Sequence, residues 1–187
     1  MTRELRRGTG LSDEGGGYAV GQLSCFCAGW DHSAVLHRVW RGCFAAAALS
    51  GLCKGAVSLA VTMVDLDIPL LREYPHWLIW NLSPTQEIPA AIPPGESLPE
   101  LHDAAQGVAY GVHRYRGPKP PLWVRNTHRY RFDVYVLDCR LALDSQARLR
   151  DLRRAMKGHI LQRGSLIGKY RHSQPFGSRT LTGERSI

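Results

Sequence analysis

His128-Arg129-Tyr130-Arg131-Phe132-Asp133-Val134-Tyr135-Val136 alternates without a break. His128, Tyr130, Phe132, Val134 and Val136 fall on one side, and Arg129, Arg131, Asp133 and Tyr135 on the other. Period two is the signature of a β-strand, so a mainly antiparallel β domain is expected around this stretch. Upstream, Leu59, Val61 and Met63 interleave with Ala60, Thr62 and Val64, which predicts a strand over Ser58 to Val64 buried on both faces, with Pro69 marking its end. His76 to Leu82, rich in Trp and Ile, predicts a second buried strand.

The connections read differently. Ser83 to Pro99 carries Pro84, Pro89, Pro93, Pro94 and Pro99, so it must run extended and irregular, tacked down by the apolar patch Ile88 to Ile92. Gly107 to Tyr115 and the Gly117 to Pro121 run read as a loop whose proline and glycine fix backbone shape with little bulk, as a pocket rim requires. Downstream, Asp144 is the expected N-cap of a helix from Ser145 to about Arg163. Leu149, Leu152, Met156 and Ile160 would form its apolar stripe, Gly164 its stop, and Arg148, Arg150, Arg153, Arg154 and Lys157 its outer face.

At 187 residues, 44% apolar and 21% charged, the chain suits one globular domain with a real core. The net charge of +8 favours anionic partners such as phosphates, acidic proteins, nucleic acid or an anionic membrane surface. Five cysteines at irregular spacing form no disulfide framework, and Cys25-Phe26-Cys27 lacks the second pair of a zinc ribbon; free thiols in a reducing cytoplasm are expected, with no metal and no cofactor. Met1 to Gly10 is basic but no apolar run follows it closely, so no signal peptide is read. Cys43 to Val64 is apolar for about a membrane span, but Gly51, Lys54 and Gly55 break it, and its second half is better read as the core strand than as a transmembrane segment.

Asp65 and Asp67 lie on one side if extension persists through the turn, and His128 and Tyr130 share a face. Imidazole and phenol supply donors for an anion, and a carboxylate beside an imidazole orients it and favours its charged form. Pro120 and Pro121 have no N–H and contribute shape alone. Each residue also has a plainer reading. Asp65 and Asp67 can cap turn amides, His76 can be a core histidine, His128 a surface residue at a strand start, and Tyr130 core packing with a bonded hydroxyl. The arginines of the helix read first as a solvated face and second as a docking surface.

In order and spacing, Asp65-Leu66-Asp67-Ile68-Pro69 followed by His76-Trp77, and Gly117-Pro118-Lys119-Pro120-Pro121 followed by His128-Arg129-Tyr130, resemble the two signature blocks of the phosphatidylethanolamine-binding protein family, most closely its bacterial Raf-kinase-inhibitor-like branch. The likeness runs from Ala56 to Tyr170. It implies an antiparallel β-sandwich with a flanking C-terminal helix, and a non-catalytic pocket for phosphate-bearing ligands: a phospholipid headgroup, a nucleotide or a phosphorylated protein segment. The pocket positions it carries over are Asp65, His76, Pro121, His128 and Tyr130, while Asp67, Pro69, Gly117, Pro118, Pro120 and Arg129 are implied to be structural. It also implies a protein partner in kinase-pathway regulation and leaves room for a homodimer.

The family's Asn-x-Ser-Pro segment is not found in Tyr18 to Cys53, where no clear alternation is visible. That region is read as a divergent replacement or as the product of a shifted reading frame. The expected organisation is a mobile tail over 1–17, a divergent segment over 18–53, the domain over 54–172 and a polar tail over 173–187. The competing function is a hydrolase using an Asp/His acid-base pair, although no Gly-x-Ser-x-Gly elbow is present. A nucleic-acid or membrane-surface role ranks last, because the basic residues are dispersed without an aromatic-rich basic strand.

Overall fold

The computed structural model describes residues 22–27, 30–35, 47–49, 51–118 and 127–171. The expected tails, together with Lys119, Pro120 and Pro121, lie outside the described residues. Ten strands, one α-helix and a short 3-10 turn at Pro99–Leu101 follow in order among the described residues. They are β1 (Gln22–Cys27), β2 (Trp30–Val35), β3 (Ala47–Ala48), β4 (Ser58–Asp65), β5 (Tyr74–Leu82), β6 (Glu87–Ile88), β7 (Ser97–Leu98), β8 (Ala104–Gln106), β9 (Thr127–Leu137), α1 (Leu149–Ala155) and β10 (Ile160–Arg171). In the region where no alternation was legible, β1 and β2 pair as an antiparallel hairpin.

The main sheet has six strands in the order β10-β9-β4-β5-β8-β7, with every pairing antiparallel. Its central strand β4 is buried at all eight positions, as its two interleaved apolar sets predict. Alternation divides the core into two. Leu59, Val61, Met63, Trp77, Ile79, Tyr130, Phe132, Val134 and Val136 face one layer, which is closed by Leu49, Ile88, Ile92 and Leu98 from the small β3–β6 sheet and the irregular connection. Ala60, Leu78, Trp80, Tyr135 and Leu137 face the other layer, closed by Leu141, Ala147, Leu152 and Met156 around α1.

The proline-rich connection is held by one buried side chain. The Gln106 amide accepts from Trp77 Nε1 (2.7 Å) and donates to the carbonyls of Pro93 (2.9 Å) and Gly95 (3.0 Å). Backbone that has no strand partner of its own thus meets its hydrogen-bonding demand through a glutamine.

The helix departs from expectation. It spans Leu149–Ala155 rather than Ser145 to Arg163, and Ile160–Arg171 is a strand. Gly158, at φ 86, turns the chain left-handed just past the helix, and the next twelve residues pair along β9. Gln162, Gly164 and Leu166 are buried while Leu161, Arg163 and Ile167 are exposed, a period of two that runs through the Gly164 read as a helix stop. Asp144 caps a separate turn, its carboxylate accepting from Gln146 N (2.6 Å). Asp151 accepts from the backbone of Arg148, the true N-cap residue (3.1 Å).

Candidate functional site

Asp65 is the last residue of β4 and pairs across the sheet with Tyr130 on β9 and with Tyr74 on β5. It shares its face with Leu59, Val61 and Met63 by alternation, and His128 and Tyr130 share that face from β9. His76 reaches the same side by another route. Met63 pairs with Trp77 and Val64 with Pro75, so His76 is the extra residue of a β-bulge. A bulge re-aims a side chain that strict alternation would send to the opposite face.

The four side chains are closed off from solvent: Asp65, His76, His128 and Tyr130 are exposed by 1%, 3%, 0% and 2%. His128 Nδ1 donates to Asp65 Oδ2 at 2.7 Å, because a carboxylate can only accept. The other carboxylate oxygen takes the backbone N–H of Asp67 at 2.8 Å. His76 Nδ1 donates to the Arg116 carbonyl (3.1 Å), while its backbone carbonyl accepts from Arg116 N (3.3 Å). His76 Nε2 is left pointing toward Asp65 Oδ2 at 4.0 Å. The His76 ring stands edge-on to Tyr130 at 5.2 Å.

Burial lowers the pKa of His76, outweighing the opposing pull of the Arg116 carbonyl and the Asp65 charge, so the imidazole is neutral at pH 7. Burial, reinforced by the Asp65 charge, pushes the Tyr130 phenol well above its ordinary value. Two atoms of the group, His128 Nε2 and the Tyr130 hydroxyl, are buried without a hydrogen bond of normal geometry.

Asp67 takes a separate, structural part. Its carboxylate accepts from Arg129 N (2.7 Å), Nε (3.0 Å) and Nη2 (2.8 Å), and these bonds hold its pKa at about 2. The fork ties the turn after β4 to the start of β9 and so fixes where Asp65 and His128 meet. Pro69 is exposed in that turn, and Gly117 and Pro118 are half-buried next to Arg116. Pro121 and Pro120 lie outside the described residues.

Sequence reading missed Tyr110 and Arg116. Ala109 and Val112 bond reciprocally (3.1 and 3.0 Å) with Tyr110 at φ 54 and Gly111 at φ 73, as a type I′ turn requires. The turn sets Tyr110 edge-on to His76 (5.1 Å), with the Arg116 guanidinium 4.3 Å from its centroid. The Tyr-Gly dipeptide was the available signal. Of the remaining loop histidines, His113 donates to the Gln106 carbonyl (2.9 Å) and serves the fold.

Among the described residues, Asp138, Cys139 and His159 bring metal-ligating atoms within 4.8 Å of one another. They lie past the far end of β9 from His128, and His159 Nδ1 already donates to Asp138 (2.8 Å). No helix among the described residues is long and apolar enough to cross a membrane.

Comparison with known proteins agrees with this fold. The family described as phosphatidylethanolamine-binding protein matches residues 46–171. A UPF0098 protein of Pyrococcus abyssi is 40% identical over 123 residues, covering 65% of this chain and 68% of its own. Another from Pyrococcus horikoshii is 37% identical over 123 residues, covering 65% and 61%. The solved structure of the phosphatidylethanolamine-binding protein homologue CT736 from Chlamydia trachomatis superimposes with a TM-score of 0.58 at 28% identity, covering 68% of this chain and 80% of that one. The mainly antiparallel β fold, the order of the Asp-x-Asp-x-Pro and His-Arg-Tyr blocks, and these matches place the chain in the phosphatidylethanolamine-binding protein family.

Proposed function

We propose that this chain is a non-catalytic binding protein that takes a phosphate-bearing ligand between His76 and His128. The observation that carries the reading is the pair of sealed polar atoms, His128 Nε2 and the Tyr130 hydroxyl, beside a carboxylate-oriented imidazole. Leaving such atoms unpaired costs about 1–3 kcal/mol each, a penalty that a ligand oxygen at this spot removes.

Because Nδ1 of each histidine is committed to an acceptor, each ring faces the site with Nε2. In a neutral ring that atom is a lone pair and repels an anion; protonated, it is a donor. Phosphate binding therefore draws in protons and strengthens as pH falls through the histidine range. Family membership supports a headgroup or a phosphorylated segment as the natural source of the phosphate.

The hydrolase reading shares the Asp65–His128 pair and would have to use water as its nucleophile, since Cys139 lies past the opposite end of β9. Calorimetric titration with inorganic phosphate and with phosphoethanolamine tests the proposal. Weak saturable binding that disappears in His128→Ala and persists in Arg153→Ala is expected. The reverse ranking of the two variants overturns the pocket, and steady release of phosphate from phosphoethanolamine overturns the non-catalytic role.

A further inference from the structure

On the helix side of the main sheet, away from the face that carries His128 and Tyr130, a cleft of about 900 Å³ lies between the start of β5, the Tyr110 turn and the beginning of α1. Its charged lining is Arg72, Arg131, Arg148, Arg150 and Arg153 against a single carboxylate, Glu73. Glu73 is already spent. It accepts from Arg153 Nη2 at 2.6 Å and from Arg131, and Arg131 is also bonded to Asp133 at 2.9 Å. Burial alone would raise the pKa of Glu73, but the two guanidiniums more than offset it, so the carboxylate stays ionised.

Arg72, Arg148 and Arg150 are exposed and form no ion pair among the described residues. Three unpaired guanidiniums thus converge on one cavity, and between them lies an apolar floor that includes Pro75, Val108 and Leu149. A cleft with this lining is complementary to a ligand that carries several negative charges around an apolar group.

Size and ring geometry narrow the class. At about 900 Å³ the cleft is at the upper end of the range for small-molecule sites and admits a few residues of extended chain. Its two aromatic rings are committed: Tyr74 and Tyr110 stand edge to face at 5.2 Å, and Arg116 covers Tyr110. With the two rings set edge to face and Arg116 over Tyr110, they present no pair of parallel faces for a nucleic-acid base to stack between. A second copy of this chain, itself at +8, would be repelled.

We propose that this cleft docks an acidic polypeptide segment of a partner protein. An apolar side chain rests on the Pro75–Leu149 floor, and flanking carboxylates reach Arg72 on one side and Arg148 and Arg150 on the other. The cleft meets the phosphate pocket at Tyr74 and Tyr110, which stand edge-on to His76, but its arginines take no part in that pocket.

Fluorescence anisotropy with a labelled peptide of sequence EELEE tests it on the full chain. Arg148→Glu combined with Arg150→Glu should weaken binding about tenfold or more. Lys54→Glu combined with Lys169→Glu alters the net charge equally at exposed positions outside the cleft and should change affinity less than about twofold. His128→Ala should leave peptide binding unaltered. Equal weakening by both double variants would overturn the proposal in favour of unspecific charge attraction, and tighter binding of a single-stranded oligonucleotide of matched charge would overturn the polypeptide as its occupant.

Discussion

The family resemblance implies His76 as a pocket residue, and the structure shows the route by which it reaches Asp65. From sequence it is a polar residue on an apolar strand beside Trp77, and alternation sends it to the opposite face. The bulge that returns it to Asp65 is written in no local motif, since it comes from the register between β4 and β5. Asp65, His128 and Tyr130 were legible through the family resemblance, with alternation placing His128 and Tyr130 on one face; Arg116 and Tyr110 were not, because a loop carries them to the site. Burial of His76 has a measurable consequence. Its folded pKa lies below the unfolded value of 6.5, so the unfolded chain binds its proton first as pH falls. The stability contribution is therefore intact above pH 6.5 and is lost as pH falls through the folded pKa. Denaturant titrations across this window should show that decline in the wild type, and His76→Gln should flatten it. An unchanged slope in the variant would mean that another group is responsible.

At the level of elements, β4, β5 and β9 were readable because β4 and β5 are long and apolar and β9 alternates cleanly, and all three stand where expected. The misread stretch, Ser145 to Arg163, shows why shorter patterns fail. Leu149, Leu152, Met156 and Ile160 fit a helical stripe, yet Ile160 is 43% exposed at the start of β10, and pairing along β9 outweighed propensity. What holds the helical segment to the sheet is a close approach at Gly107. A Cβ there would lie 2.5 Å from the Ala147 carbonyl and 2.8 Å from the Trp80 ring, and Val108 N donates to that same carbonyl at 3.0 Å. Backbone cannot yield as a flexible side chain does. Gly107→Ala should accordingly cost about 1–3 kcal/mol of unfolding free energy. An equal or higher midpoint in urea would show that the contact is looser than described.

For the molecule as a whole, the sheet carries two candidate anion sites. One face carries the Asp65–His128 cluster; the other carries the arginine cleft. With a net charge of +8, any anion is drawn to the surface in general, and the pocket must be distinguished from that background. The chain's other histidines supply the contrast, since His102 and His159 are exposed and stand outside the site. Imidazole nitrogen NMR during titration with inorganic phosphate at moderate salt resolves the question most directly. Nε2 of His76 and His128 should move together toward the protonated form along one saturable curve, more readily at pH 6 than at pH 8, while His102 and His159 stay in place. If instead His102 and His159 shift and the two buried rings remain unchanged, phosphate is held by surface charge and the pocket between His76 and His128 is not an anion site.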